Sequence, residues 1–496
     1  MPSPRIVERS VLDWAVGSFS RALILVACAS SYVGAQPVAT ATTATSEHPS
    51  EVAPPVPTPA PLTAADVANA PGPGFESGRT DQPVGDSFLR TLGRGALFAP
   101  KLVIDTALSP IYLTAWAEDR YHLDELYYRA FYNADRTLGV YPTGTYSSGF
   151  GLNLGAGFIA KDLAGEHESI AAQATTGAFL ADSYQESLAT TISSGARFGW
   201  LELGIESSFD RRPDEPFSGI GNADLTTQPA SGVDPRGTTT AISTRYRYQE
   251  ARAAASASIR LTDAMHLRAS EAITDHEFAG SRDELPTDVV YSPRGLVGWS
   301  GFANVYSELE LRIDKRRRAS QWEPAALHAE GWLVAAALGN SRDLGANLWR
   351  GTLELQQFWR IAQGPRLIAL RFRTEAISGS LADVPFSELP ALGGADFLRG
   401  YDYNRFRDRV AAVGSVEYVW DLAHWFAAAL FVDVGRVYPS LADLSLDKMR
   451  VGYGVALEVF DDASFLCEAS VASSIEGGLF LNVSFNPIYD ARPRWR

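Results

Sequence analysis

Ser307-Glu308-Leu309-Glu310-Leu311-Arg312-Ile313-Asp314 reads as one strand with two unlike faces. Successive side chains of an extended chain point to opposite sides. Glu308, Glu310, Arg312 and Asp314 therefore share one face, and Leu309, Leu311 and Ile313 the other. A strand of a soluble sandwich would alternate in the same way, with its charges in water. Repetition along the chain decides between the two. Leu201, Leu203, Ile205 and Phe209 alternate with Glu202, Gly204, Glu206 and Asp210. Ile368, Leu370 and Phe372 alternate with Arg371, Arg373 and Glu375, and Leu479, Leu481, Val483 and Phe485 with Phe480, Asn482 and Ser484. Charges gathered on one face of strand after strand describe a polar lumen and a lipid-facing exterior. The expected fold is an all-β transmembrane barrel.

The alternation begins near Arg136 and continues almost to the end of the chain. It places strands at 136–145, 149–162, 168–179, 185–196, 200–210, 239–259, 264–277, 303–314, 326–338, 348–361, 366–378, 409–420, 425–438, 449–459, 464–474 and 478–486. That is about sixteen antiparallel strands, an even number, as a closed bacterial barrel requires. Long polar connections at 211–238, 279–302, 379–408 and 439–448 fall at alternate junctions, with short turns between them. Short turns belong on the periplasmic side and long loops outside. The connection 315–325 is a longer exception on the short side.

The region before the barrel divides in three. Residues 1–35 carry Arg5, Arg9 and Arg21 ahead of Ala22-Leu23-Ile24-Leu25-Val26-Ala27 and read as a signal peptide. Leu25-Val26-Ala27-Cys28 also fits a lipoprotein box, which leaves Cys28 as either an acylated N-terminus or an incidental residue of the signal. Residues 36–77 are rich in Pro, Ala and Thr and read as a disordered linker. Residues 78–135 read as a helical periplasmic segment, with Leu123, Leu126, Tyr127 and Phe131 at helical spacing.

Composition narrows the functions. A net charge of −15 argues against a nucleic-acid partner. Of the 2 cysteines only Cys467 lies in the folded part, so no disulfide framework is expected. The 7 histidines show no close metal-ligand spacing, and His266 and His276 read as polar lumen residues. No Gly-x-Ser-x-Gly elbow or other nucleophile stands out, so neither an enzyme nor a cofactor is expected.

The longest polar interruption holds Gly393-Gly394-Ala395-Asp396-Phe397-Leu398-Arg399-Gly400-Tyr401, a compact tip with one permanent charge. With Asp433 inward, Phe426, Leu430, Val432 and Val434 face lipid; with Glu417 inward, Val416, Tyr418 and Trp420 do the same. Two carboxylates on neighbouring strands then call for a cation, and the planar fork of Arg399 suits them. Arg399, Gly400 and Tyr401 with Glu417 and Asp433 form the candidate loop anchor.

Leu398-Arg399-Gly400-Tyr401, Glu417-Tyr418 and Phe431-Val432-Asp433-Val434-Gly435 together resemble BamA/TamA-like outer-membrane proteins, the bacterial surface antigen family. Phe217-Ser218-Gly219-Ile220-Gly221-Asn222 is similar to a further loop signature of that group. The resemblance covers about 136–486. It implies a sixteen-strand barrel, an Arg-Gly-Tyr tip held inside against the strand that carries Phe431, Asp433 and Gly435, and outer-membrane localisation. It also implies a weak seam between 136–145 and 478–486 that admits or releases polypeptide. The family's periplasmic POTRA domains are not legible before residue 136, which separates the fold from the transport role. Two functions therefore stand: assistance of outer-membrane protein or polypeptide insertion or translocation, or a passive pore or structural barrel. Partners would be outer-membrane lipid, with polypeptide substrates or periplasmic proteins in the first case.

Four further groups carry expectations. Arg245 and Arg247, with Arg371 and Arg373, are expected in the lumen, paired with carboxylates such as Glu308 and Glu310. Tyr438 and Tyr418-Val419-Trp420 are expected in an interfacial aromatic girdle. Lys315-Arg316-Arg317-Arg318 is expected at the periplasmic rim as a solvated turn.

Overall fold

The computed structural model describes Arg120 and residues 123–484, apart from interruptions at 148, 164, 166, 179–183, 196–198, 228–230, 237–239, 283–284, 317–329, 343–346, 362–365, 424–425 and 461–464. The chain divides into Met1–Phe75 and Glu76–Arg496, and every described residue belongs to the second unit. The expected signal peptide, the linker, most of the segment 78–135, Cys28 and Phe485 lie outside the described residues.

Sixteen strands form one closed barrel, each antiparallel to its neighbours. In order they are β1 (Leu138–Ser147), β2 (Gly151–Lys161), β3 (Ser169–Thr176), β4 (Glu186–Ser193), β5 (Leu201–Phe217), β6 (Thr244–Thr262), β7 (Met265–Gly280) and β8 (Phe302–Asp314). The second half comprises β9 (Gly331–Arg342), β10 (Leu348–Arg360), β11 (Arg366–Ile377), β12 (Val410–Ala423), β13 (Phe426–Tyr438), β14 (Arg450–Phe460), β15 (Phe465–Ser474) and β16 (Phe480–Ser484). A helix, α1 (Leu123–Phe131), precedes β1. Among the described residues no helix is long and apolar enough to cross a membrane.

The alternation is physical. Ile273, Leu309 and Leu338 stand out from the wall at 58%, 52% and 55% exposure, while Glu310, Glu354, Arg371, Glu417 and Asp433 are buried on the lumen side. The inward charges are paired: Arg312 with Glu310 at 3.0 Å, Arg371 and Arg373 with Glu354 at 3.0 and 2.9 Å, and Arg350 with Glu375 and Glu388. Arg371 and Arg373 thus meet Glu354 and Glu375 rather than Glu308 and Glu310, because the register sets β10 directly beside β11. Arg245 and Arg247 are not luminal. Tyr246 and Arg252 occupy the inward positions of β6, so the odd-numbered arginines face outward.

β5 and β6 form a taller hairpin than the pattern 200–210 and 239–259 suggests. Residues 211–217 read as loop because they are charged, yet each inward charge finds a partner. Arg212 pairs with Asp210 at 2.6 Å and Glu215 at 3.1 Å, and Ser281 donates to Asp214. A register shift between Arg212 and Glu215 bends the hairpin there.

Three loops cover the long-loop end of the barrel. Ile220 and Ile242, Tyr291 and Leu296, and Phe386 and Leu389 come from successive long connections and pack with Phe217 and Tyr246 in one apolar cluster. The buried Tyr291 hydroxyl accepts the Ile242 N–H and donates to the Ile242 carbonyl, both at 2.9 Å.

The aromatic expectation holds in part. Tyr418 and Trp420 stack outside the wall with centroids 5.5 Å apart. Val419 is buried on the inward face, and Tyr438 is buried because loop residues fold over it and Ser445 accepts its hydroxyl. Phe426 is also buried rather than lipid-facing, at the hairpin end where a bulge between Asp421 and Ala423 breaks the alternation.

The barrel closes between β1 and β16. Among the described residues they meet through Tyr146↔Val483 and Ser147↔Asn482. The expected seam between 136–145 and 478–486 runs on into residues beyond 484, which lie outside the described residues. The start of β1 packs against the residues that follow α1: Tyr132 stacks on Tyr141 over Gly139, and Asn133 accepts the N–H groups of Thr137 and Leu138.

Candidate functional site

The connection 378–409 turns back into the barrel, and its tip is built by turns of the chain on itself. The Gly393 N–H donates to Phe397 O at 2.7 Å and the Gly394 N–H to Tyr401 O at 3.1 Å. Leu398 takes a left-handed φ of 65°, so its side chain enters a buried cluster with Leu392, Tyr401, Phe406, Val413 and Val437 while Arg399 points to the wall.

Arg399 is one of the largest fully buried side chains of the molecule. Its Nε and Nη2 donate to the two oxygens of Asp433 at 2.8 Å each, a bidentate fork. Its backbone N–H donates to Asp433 as well, at 2.9 Å. Glu417 lies 2.5 Å from Nη2, and Glu468 3.9 Å from Nη1. The guanidinium carbon sits 3.5 Å from the centroid of the Phe431 ring. One cation thus faces three carboxylates and an aromatic face inside the barrel, where charge-assisted contacts are strong and unpaired charges costly.

The tip could not seat without glycine on both sides. Gly400 has φ 92°, and a Cβ there would meet the Ser473 carbonyl at 2.2 Å. On the wall, a Cβ at Gly452 would meet the Arg399 carbonyl at 1.7 Å. Gly435 lies under the loop, where a Cβ would meet Leu392 at 3.1 Å. The Tyr401 hydroxyl donates to Val451 O at 3.4 Å. Arg371 and Arg373 lie 4.9 and 5.0 Å from the Phe397 ring, and Arg371 donates to Asp396 O.

All six residues singled out from the sequence gather at this place. Glu468 and Gly452 are not among them, although parity puts Glu468 inward and the glycines of β14 signal a close backbone approach. The other side of the tip was also missed. Phe217-Ser218-Gly219-Ile220-Gly221-Asn222 crosses to the same wall: Gly221 N–H donates to Arg407 O, and the Asn222 amide pairs with both backbone groups of Val437. Arg212 donates to the Tyr403 hydroxyl, and Asn404 to Glu215. The loop is therefore gripped from β12–β15 on one side and from the β5–β6 hairpin on the other. His276 lies 3.6 Å from both Glu250 and Glu388, and no metal-holding cluster occurs among the described residues.

Residues 330–461, which include the loop, Glu417, Asp433 and Gly435, match the Omp85 superfamily domain. Among solved structures, the chain is similar to BamA from Haemophilus ducreyi lacking POTRA domains 1–3, at 13% identity and TM-score 0.49, over 70% of each chain. It is also similar to CdiB from Acinetobacter baumannii (11%, TM-score 0.44) and from Escherichia coli (10%, TM-score 0.44). These matches cover 70% and 69% of this chain but only 58% and 62% of the two CdiB chains. No curated protein matches the sequence. Glu468 lies beyond the matched domain, yet it faces the same guanidinium.

Proposed function

We propose that the protein is a bacterial outer-membrane barrel that assists insertion or translocation of polypeptide, with its long loops outside and α1 in the periplasm. The observation that carries this reading is a rigid centre beside the junction of the first and last strands. The inward loop is clamped by Arg399 to Asp433 and Glu417, while β1 and β16 meet, among the described residues, at Tyr146↔Val483 and Ser147↔Asn482. A barrel held open from within can part at its seam without collapsing. Arg399, Gly400, Tyr401, Glu417, Asp433 and Gly435 serve as the structural anchor of that loop. Its partners are outer-membrane lipid and polypeptide, with periplasmic proteins delivering the latter.

The loops packed over the long-loop end oppose a steady open pore, the competing role. The test is a disulfide between Tyr146→Cys and Val483→Cys, which are paired across the seam. The oxidised protein in proteoliposomes should lose assisted folding of a model barrel substrate, and reductant should restore it. Full activity with the seam locked would sink the proposal.

A further inference from the structure

The outer face of the wall opposite the seam carries a polar network that the lumen chemistry does not use. Glu271 on β7, Ser307 on β8 and Arg342 on β9 all point outward, because Ala272, Tyr306 and Ser341 take the inward positions. Arg342 Nη2 donates to Glu271 at 2.7 Å and to Ser307 at 2.8 Å, and Ser307 donates to Glu271 at 2.5 Å. About half of each charged side chain is exposed, 48% for Arg342 and 53% for Glu271. Arg342 Nε and Nη1 have no partner among the described residues.

Two further outward pairs lie on neighbouring strands of the same wall: Gln249 donates to Glu277, and Arg211 pairs with Glu186 at 3.1 Å on β5 and β4. β14 differs: it turns Val451, Tyr453, Val455, Leu457 and Val459 outward along its whole length.

The height of the polar belt follows from strand geometry. Outward Lys315 and Trp332, 5.7 Å apart, mark the short-turn edge of the wall. Counting residues from Lys315 to Ser307 and from Trp332 to Arg342, at ~3.3 Å per residue and a tilt of ~40°, puts the belt roughly 20–25 Å above that edge. An apolar band of about 25 Å ends there. The belt lies where lipid headgroups begin, in the leaflet on the long-loop side. Charges on a lipid-facing strand are tolerated at that level and would be costly at mid-membrane.

We propose that this belt binds the phosphate groups of anionic lipid headgroups in the outer leaflet, with Arg342 and Arg211 as donors. A guanidinium fork matches phosphate oxygens in a bidentate manner, and Glu271 and Ser307 hold Arg342 in place for it. The assignment of leaflet rests on the orientation proposed above; the binding chemistry does not.

Two measurements separate these points. In phosphatidylcholine nanodiscs doped with a diphosphorylated lipid A, native mass spectrometry should show retained phosphorylated lipid. The Arg211→Gln/Arg342→Gln pair should reduce retention about tenfold and Arg342→Lys should reduce it less, while Lys315→Gln keeps most of it. Heat-modifiable mobility establishes that each variant is folded. Equal retention by the double variant, or of a dephosphorylated lipid, would overturn the proposal. So would unchanged lipid accompanied by a shift from dimer to monomer, which would make this face a contact with a second copy. Orientation is read separately, from labelling of Ala442→Cys on intact cells with an impermeant maleimide. Loss of that labelling would refute the orientation and leave the nanodisc result standing.

Discussion

Replacing Arg399 by alanine should destabilise the barrel by about 3–5 kcal/mol, the usual cost of removing one partner from a buried ionic pair. The structure explains why the upper half of that range applies. The change removes two hydrogen bonds to Asp433 and the contact with Glu417, and it uncovers the Phe431 ring. It also leaves Asp433, Glu417 and Glu468 buried with no cation between them. Only the backbone N–H bond to Asp433 survives. Arg399→Lys keeps the charge but not the fork, and should cost about 1.5–3 kcal/mol, one charge-assisted hydrogen bond. Arg399→Met combined with Asp433→Asn should cost less than the sum of the single changes by up to about 3 kcal/mol, because the two side chains share the interaction. Urea unfolding of the purified barrel in micelles, followed by Trp fluorescence, measures the wild type, each single variant (Arg399→Ala, Arg399→Lys, Arg399→Met and Asp433→Asn) and the double variant. Proteolysis between 385 and 408 should rise in the same order. Losses below about 1 kcal/mol for Arg399→Ala, or additive behaviour of the pair, would refute the anchor.

Three further outcomes follow from the same geometry. Gly452→Ala should unseat the tip as effectively as loss of the arginine, since its Cβ would overlap the Arg399 carbonyl; Gly400→Ala should act likewise from the other side, and protease access to 385–408 reports both. Tyr291→Phe leaves the Ile242 N–H and carbonyl without their hydroxyl partner, at a cost of about 1–3 kcal/mol measured by the same urea titration, and should loosen the loop cover in hydrogen exchange. Asp234, outside the strands, is held below its usual value of 3.8 by hydrogen bonds from Arg236. Its ionised form therefore favours the folded loop at neutral pH, and that contribution fades as pH falls through the lowered value. Because the pair is largely exposed, Asp234→Asn should cost less than about 1 kcal/mol at pH 7, and progressively less as the pH is lowered below the usual carboxylate range.

Much of the candidate site was legible because a strand has a period of two. Once Asp433 is placed inward, the faces of β12 and β13 follow, and a buried Arg is the natural neighbour of two lumen acids. The same rule would have nominated Glu468 had β15 been read with equal attention. It failed where alternation stops carrying the information. Arg245 and Arg247 face outward because Tyr246 and Arg252 take the inward positions of β6, and with polar groups on both faces of 245–250 alternation alone does not say which face is inward. Tyr438 was given to the membrane because a single strand does not show that Ser445 will fold over its hydroxyl.

By itself the sequence determined that the chain is a barrel of about sixteen strands, which faces are wet, and that a charged loop tip must find carboxylates. These are local consequences of side-chain alternation and of the cost of an unpaired charge. Tertiary structure alone decided that the loop is gripped from two sides, with Asn222 on Val437 and Tyr403 on Arg212. It alone set the register in which Tyr146 meets Val483 across the closure, and it brought Glu271, Ser307 and Arg342 together outside. Such contacts join residues far apart in the chain. They depend on barrel closure and strand register, which no single stretch encodes.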